Sequence, residues 1–282
     1  MANSKVDFIF VGAAKCGSTW FYDVLKDHPS IHVPTAKDIY FFDKFFQKGF
    51  EWYEKVIGTP SDFTDKTGEV SHDYLFSHEA LIRIKEYNPN VKIMICIREP
   101  MERAYSAFRF MQRNGTTTDD FPTTLKNNQN IIERGQYTKY IQDCYHIFGK
   151  QNVKVFVFDD LSQKSIEVVE ELYDFIGVDK EHIFEKHDKK SLPASNPRNK
   201  ALSLAVKKLA ILTRNLGHPN IVGKIKRSFI SKLLYKEVKY DWYEEVSKKD
   251  KKWLSECFKS DVIKLQKVVD HDLSKWLNRY CS

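Results

Sequence analysis

Asp7-Phe8-Ile9-Phe10-Val11-Gly12-Ala13-Ala14-Lys15-Cys16-Gly17-Ser18-Thr19-Trp20 is an apolar run closed by small residues, and its reading decides the fold. Asp7 to Val11 has the composition of a buried strand, and the residues after Gly17 open a helix running to about Leu25. Small residues between a strand and a helix let backbone N–H groups close around an anion, and the helix N-terminus adds its partial positive charge. The pattern is G-x-x-x-x-G-S-T, one residue away from the nucleotide-triphosphatase loop G-x-x-x-x-G-K-[ST]. In that loop the lysine follows the second glycine and reaches the β/γ-phosphates. Here Ser18 holds that place, and Lys15 lies two residues before Gly17, alongside the bond between a bound phosphate and whatever is transferred. The same glycines also suit a plain strand–helix turn, so a second site has to decide between the two.

Outward from this stretch, short apolar strands alternate with helices. Ile31 to Val33, Thr67 to Ser71, Val91 to Ile97 and Val153 to Phe158 read as strands, the second of them weak. Pro34 to Asp43 reads as a loop turning into an aromatic helix, with Lys37, Asp38 and Asp43 interrupting the apolar residues. Helices are expected from Gly49 to Ile57, His78 to Tyr87, Pro100 to about Arg113, from just after Tyr137 through Phe148, and as one long helix ending at Ile176. Ser77 suits an N-cap and Pro100 a first helical turn. The alternation implies an α/β fold with a central parallel sheet and right-handed crossovers. A single domain over residues 1–282 is expected, with an α/β core at 6–179 and, at 180–282, a basic loop and C-terminal helices over Ala201 to Thr213 and Asp250 to Leu277.

Composition narrows the function classes. Hydrophobic residues make up 42% of 282, enough for a large core, and 20 Phe with 14 Tyr argue against disorder. No apolar run approaches a membrane span, and Met1 to Lys5 lead straight into a strand rather than a signal peptide, so a soluble, cytoplasmic protein is expected. Five scattered cysteines without a C-x-x-C pair imply a reducing compartment and no zinc site; Cys16 reads as a small residue filling a tight turn. The net charge of +7 is local: Lys186 to Tyr240 holds 14 Lys/Arg against 2 Asp/Glu, the rest of the chain 31 against 36. Such a stretch can meet a nucleotide, an anionic polymer or a membrane surface, and equally be a solvated face.

The second site is Arg98-Glu99-Pro100-Met101-Glu102-Arg103-Ala104-Tyr105-Ser106. A triphosphatase commonly ends the corresponding strand with an aspartate for Mg²⁺; a guanidinium there repels a metal and grips a phosphate in a fork. Ser106, two turns into the helix, adds a hydroxyl, and Arg103 a further charge. The two sites together describe a nucleotide held at two anionic ends without a metal.

On these residues the chain resembles the sulfotransferases that use 3′-phosphoadenosine 5′-phosphosulfate, nearest the heparan sulfate branch. Lys15-Cys16-Gly17-Ser18-Thr19 is similar to their 5′-phosphosulfate loop, and Arg98 to Ser106 to their 3′-phosphate motif. Similarity continues through Lys37 to Asp43, Gly135 to Gly149 and Val153 to Asp160. The resemblance implies metal-free in-line sulfuryl transfer to a hydroxyl or amine of a saccharide or small molecule, with adenosine 3′,5′-bisphosphate released. It makes Lys15 the cation at the leaving oxygen, Cys16, Gly17, Ser18, Thr19 and Trp20 the loop around the 5′-phosphate, and Arg98 and Ser106 the readers of the 3′-phosphate. Arg198, Asn199 and Lys200 resemble a donor-covering loop.

The base is left open between two residues. Heparan-type enzymes carry a glutamate where this chain has Asp38 and a histidine where it has Tyr40, and commonly Glu-Lys-Thr-Pro where it reads Glu69-Val70-Ser71-His72. Cytosolic small-molecule enzymes have Lys-Thr-His there, the histidine acting as base. Asp38 thus matches one branch and His72 the other, although Asp38 also suits a helix N-cap and His72 a strand-end loop. Two other classes compete with the resemblance: a P-loop kinase or triphosphatase, and a non-enzymatic polyanion binder acting through Lys186 to Tyr240. No nucleic acid or membrane partner is expected.

Overall fold

Five short strands form one parallel sheet in the order β2-β3-β1-β4-β5, as seen in a computed structural model that describes residues 5–182, 184, 195–197, 208, 209, 211–213, 216, 217, 219, 220, 235–237 and 242–280. β1 is Phe8–Gly12, β2 Ile31–His32, β3 Lys66–Val70, β4 Lys92–Ile97 and β5 Val153–Val157. β1 is buried along its whole length, as is β4 after its first residue, which is what a strand covered on both faces requires. The chain divides into two compact units, Met1–Ile97 with Tyr140–Leu192 and His218–Lys224, and Arg98–Lys139 with Pro193–Gly217 and Ile225–Ser282. The sheet lies in the first.

Helix α1 (Ser18–Asp27) follows β1 and turns Trp20, Phe21, Val24 and Leu25 inward. Phe21 packs 5.0 Å from Phe10 of β1 and 5.1 Å from Phe156 of β5, ring centre to ring centre. Each such ring, fully buried, contributes roughly 1.5–3 kcal/mol. Gly68 explains why β3 reads weakly: it pairs with Phe8, and a Cβ on it would lie 2.1 Å from the Phe8 ring. The glycine lowers strand propensity but makes room for the neighbouring strand's largest side chain.

Three helical expectations change. The aromatic helix is a single turn, α2 (Phe41–Lys44), because Phe41 and Phe42 spend their rings on a cluster with Tyr53 of α3 (Gly49–Ile57) rather than on a longer helix face. After α4 (His78–Tyr87), α5 (Pro100–Arg113), α6 (Phe121–Asn127), α7 (Asn130–Glu133) and α8 (Thr138–Phe148), the expected long helix is two, α9 (Asp160–Gln163) and α10 (Ser165–Ile176). Lys164 between them leaves helical geometry at φ −141°, and Gly177 closes α10 in the left-handed region. The expected helix over Asp250 to Leu277 is Lys248–Leu265 and Ser274–Arg279. Gln266 divides them, its side chain accepting from Leu273 N at 2.6 Å and donating to His271 O at 2.7 Å.

In the second unit, Glu99 caps α5, accepting from Met101 N at 3.1 Å, Glu102 N at 2.8 Å and the Tyr280 hydroxyl. Burial pushes its carboxyl above the ordinary range. Arg103, expected to offer a phosphate a further charge, is only 2% exposed and donates to the Ile131 carbonyl, so its charge is held inside the unit. A two-stranded antiparallel pair joins β6 (Ser195–Pro197) to β7 (Tyr235–Glu237). Arg198, Asn199 and Lys200 lie outside the described residues, as does most of the basic segment, including most of the expected helix over Ala201 to Thr213.

Candidate active site

The loop after β1 turns on Gly17, at φ 87°, where a Cβ would come 2.6 Å from Leu161 Cδ1; only glycine fits both the backbone angle and the space. Lys15 adopts a left-handed conformation as well, at φ 73°. A non-glycine residue there is strained, and such strain concentrates where a side chain must be aimed. Cys16 is fully buried with its thiol toward Ala14 O at 3.7 Å, which agrees with a turn-filling role. Trp20 is 6% exposed and meets Phe21 edge-on. Ser18 and Thr19 are the first two residues of α1, and both hydroxyls accept from the ammonium of Lys37, each at 2.9 Å. Sequence reasoning saw Lys37 only as a charge interrupting an aromatic run; that lone cation before Asp38 was the available signal.

Asp38 and His72 meet. His72 Nδ1 is 2.5 Å from Asp38 Oδ1, across 34 positions of sequence. The pairing follows from how the Asp38 segment docks on the end of β3: Asp38 N donates to Val70 O at 2.8 Å, and Ile39 N to Ser71 Oγ at 3.0 Å. Asp38 and Tyr40 both sit at positive φ, 63° and 58°, and Tyr40 rather than Asp38 precedes the first turn of α2. The expectation of Asp38 as an N-cap is thereby overturned: its carboxylate is spent on the imidazole. The Tyr40 ring lies T-shaped to His72, centres 6.0 Å apart. The turn carrying His72 packs on the end of β1, where a Cβ on Gly12 would come 3.1 Å from His72 O. The loop after β1 and the Asp38–His72 pair therefore occupy the carboxyl ends of adjacent parallel strands, the usual location of ligands in open α/β sheets.

Below the dyad lies a buried carboxyl that sequence reasoning did not single out. Glu69 is fully buried and accepts from Tyr53 at 2.6 Å, Tyr74 at 2.8 Å and Ser71 Oγ. Burial raises its pKa to about 7, against the lowering effect of the three hydroxyls. A folded-state value above the unfolded one means that the stabilisation is complete below the ordinary glutamate range and is lost as pH rises toward 7. Glu69→Gln is accordingly expected to flatten the pH dependence of the urea midpoint between about pH 5 and about pH 8, the gap from wild type reaching about 3 kcal/mol at the alkaline end. Parallel pH profiles of the two proteins would contradict this assignment.

In the second unit, Arg98 directs Nε and Nη2 onto Glu102 Oε2 at 3.3 and 3.1 Å. Arg279 holds the other Glu102 oxygen at 2.7 Å. Burial pushes the Glu102 carboxyl up, but the hydrogen bond from Arg279 and the charges of Arg98 and Arg279 outweigh it and the net shift is downward. Tyr137 donates to Arg98 O at 2.9 Å, fixing the backbone where β4 gives way to α5. Ser106 is half-buried on α5. Among the described residues no group of three or more His, Cys, Asp or Glu is arranged to hold a metal, and no helix is long and apolar enough to cross a membrane.

The parallel sheet, with a small-residue loop between its central strand and a helix, is the α/β fold expected from the sequence. The family model described as "Sulfotransferase domain" matches residues 5–267, and the chain belongs to that family. It is 31% identical over 192 residues to the bifunctional heparan sulfate N-deacetylase/N-sulfotransferase 4 of Mus musculus, covering 61% of this chain and 22% of that protein. It is 34% identical over 185 residues to heparan sulfate glucosamine 3-O-sulfotransferase 5 of Homo sapiens, covering 60% of this chain and 53% of that one. These matches thus span between about a fifth and about half of the relatives' lengths. A solved sulfotransferase from Alicyclobacillus acidocaldarius shares the fold with a TM-score of 0.68 at 22% identity, over 97% of this chain and 99% of that one.

Proposed function

We propose that this sulfotransferase moves a sulfuryl group from 3′-phosphoadenosine 5′-phosphosulfate to a hydroxyl or amine of a saccharide or small-molecule acceptor. The observation that carries the reading is the histidine–carboxylate dyad on the strand next to a small-residue anion loop, both within one unit. The acceptor heteroatom attacks sulfur, the bond from sulfur to the 5′-phosphate oxygen breaks, and adenosine 3′,5′-bisphosphate leaves. Lys15 offsets the charge gathering on that leaving oxygen, while the loop N–H groups with Ser18 and Thr19 hold the phosphate. Cys16, Gly17 and Trp20 shape the loop. The acceptor proton goes to His72 rather than Asp38: the His72 side chain is 24% exposed against 6% for Asp38, and a carboxylate on Nδ1 selects the tautomer with a free Nε2 lone pair.

Arg98 and Ser106 take the 3′-phosphate, Arg279 keeping Glu102 paired when the Arg98 fork turns to its ligand. Arg198, Asn199 and Lys200, outside the described residues, keep the donor-covering role that the resemblance implies. No step requires a metal. The two curated relatives carry heparan sulfate in their names, one as an N- and one as an O-sulfotransferase, which favours a saccharide acceptor without choosing between nitrogen and oxygen.

The test is a thermal-shift titration. Adenosine 3′,5′-bisphosphate is expected to stabilise the protein equally with and without magnesium, through binding to the folded state. Preference for Mg-ATP would overturn the reading in favour of a kinase. Salt-steep binding of polyanions that ignores Lys15→Ala would overturn it in favour of a non-enzymatic binder. In the same assay Arg98→Ala should weaken bisphosphate binding by roughly tenfold to a hundredfold, the loss of a charge-assisted contact. Unaltered affinity would remove Arg98 from the donor site.

A further inference from the structure

Lys37 holds the two hydroxyls that open α1, and the mechanism above gives it no role. An ammonium has three N–H donors and no acceptor. A hydroxyl 2.9 Å from it must therefore accept with a lone pair, and its own proton turns away from the lysine. Lys37 imposes this on Ser18 Oγ and Thr19 Oγ1 together. Both hydroxyls are thereby set as donors at the mouth of an anion loop, each polarised by a full positive charge. The same residue precedes Asp38, whose backbone N–H is fixed to Val70 O at 2.8 Å and whose carboxylate meets His72. Lys37 thus ties the loop after β1 to the segment that carries the dyad.

We propose that Lys37 is a positioning residue for the donor's 5′ end: it fixes the Ser18 and Thr19 hydroxyls as hydrogen-bond donors toward the 5′-phosphate and holds the donor loop in register with the Asp38–His72 pair. The proposal rests on the donor-site reading of Ser18 and Thr19. It makes a prediction that reading alone does not: the contribution of Lys37 runs through the two hydroxyls and concerns one end of the nucleotide only.

Calorimetric titration of the full chain with adenosine 3′,5′-bisphosphate, and separately with adenosine 3′-monophosphate, tests this on wild type, Lys37→Met, Lys37→Arg, Ser18→Ala/Thr19→Val and the combined variant. Lys37→Met is expected to weaken the bisphosphate by roughly tenfold to a hundredfold and to leave the 3′-monophosphate unchanged. Lys37→Arg should restore part of the loss, which also guards against a variant that merely folds poorly. Adding Lys37→Met to the Ser18→Ala/Thr19→Val background should cost little more, since the lysine acts through the two hydroxyls. Equal weakening of both nucleotides, no weakening of either, or additive losses would each overturn the proposal. If wild type binds neither nucleotide, the donor reading falls and this proposal falls with it; if wild type binds the bisphosphate and Lys37→Met binds it equally well, only the role of Lys37 is refuted.

Discussion

Lys15→Ala is expected to lower kcat by about 10³-fold while leaving the unfolding transition in place. In sulfuryl transfer the largest change in charge is at the oxygen joining sulfate to the 5′-phosphate, which becomes a phosphate oxygen as the bond breaks. A cation held beside that oxygen needs no reorganisation when the charge arrives, and its removal is felt in the transition state more than in binding. The backbone gives this prediction a second arm. Lys15 stands at φ 73°, a conformation that costs a side-chain-bearing residue about 1–2 kcal/mol and glycine almost nothing. Lys15→Gly should therefore unfold at a temperature no lower than wild type while losing turnover as completely as Lys15→Ala. Steady-state kinetics beside thermal denaturation measures both arms. A glycine variant that keeps its turnover would show that the lysine is not the leaving-group cation, whatever its stability.

Legibility in the sequence followed physical range. β1 and β4 were readable because both of their faces are covered, so apolar residues run on without alternation; α4 was readable to the residue and α5 to its start because Ser77 and Pro100 mark where they begin. β3 was faint because Gly68 serves the Phe8 ring rather than its own strand. The turn between β1 and α1 was legible because its small residues lie in eight consecutive positions, Gly12 to Thr19. What could not be read was pairing at a distance. Asp38 and His72 stood as rival bases, since nothing local says that a loop at positive φ will dock on the end of β3 and bring them to 2.5 Å. The roles of Lys37 and Glu69 went unread for the same reason: the partners of Lys37 precede it by 18 and 19 positions, and Glu69 draws one of its three hydroxyls from Tyr53 on a separate helix. The partner of Arg98, Glu102, was not read either, although the i,i+4 spacing held the hint.

Because the rival bases form a pair, their mutants should not behave as rivals. His72→Ala is expected to lower kcat by about 10²–10⁴-fold, the range for loss of a positioned general base. Asp38→Asn should fall within the same range, since an amide can present its NH₂ to Nδ1 and so place the imidazole proton on Nε2, where the acceptor's proton has to go. The double variant should be no slower than His72→Ala alone, because an orienting carboxylate has nothing to orient once the imidazole is gone. The partition decides the assignment. Near-normal kcat in Asp38→Asn would leave His72 acting unaided, near-normal kcat in His72→Ala would transfer the base to Asp38, and losses that multiply in the double variant would mean that the two side chains, though 2.5 Å apart, do separate jobs.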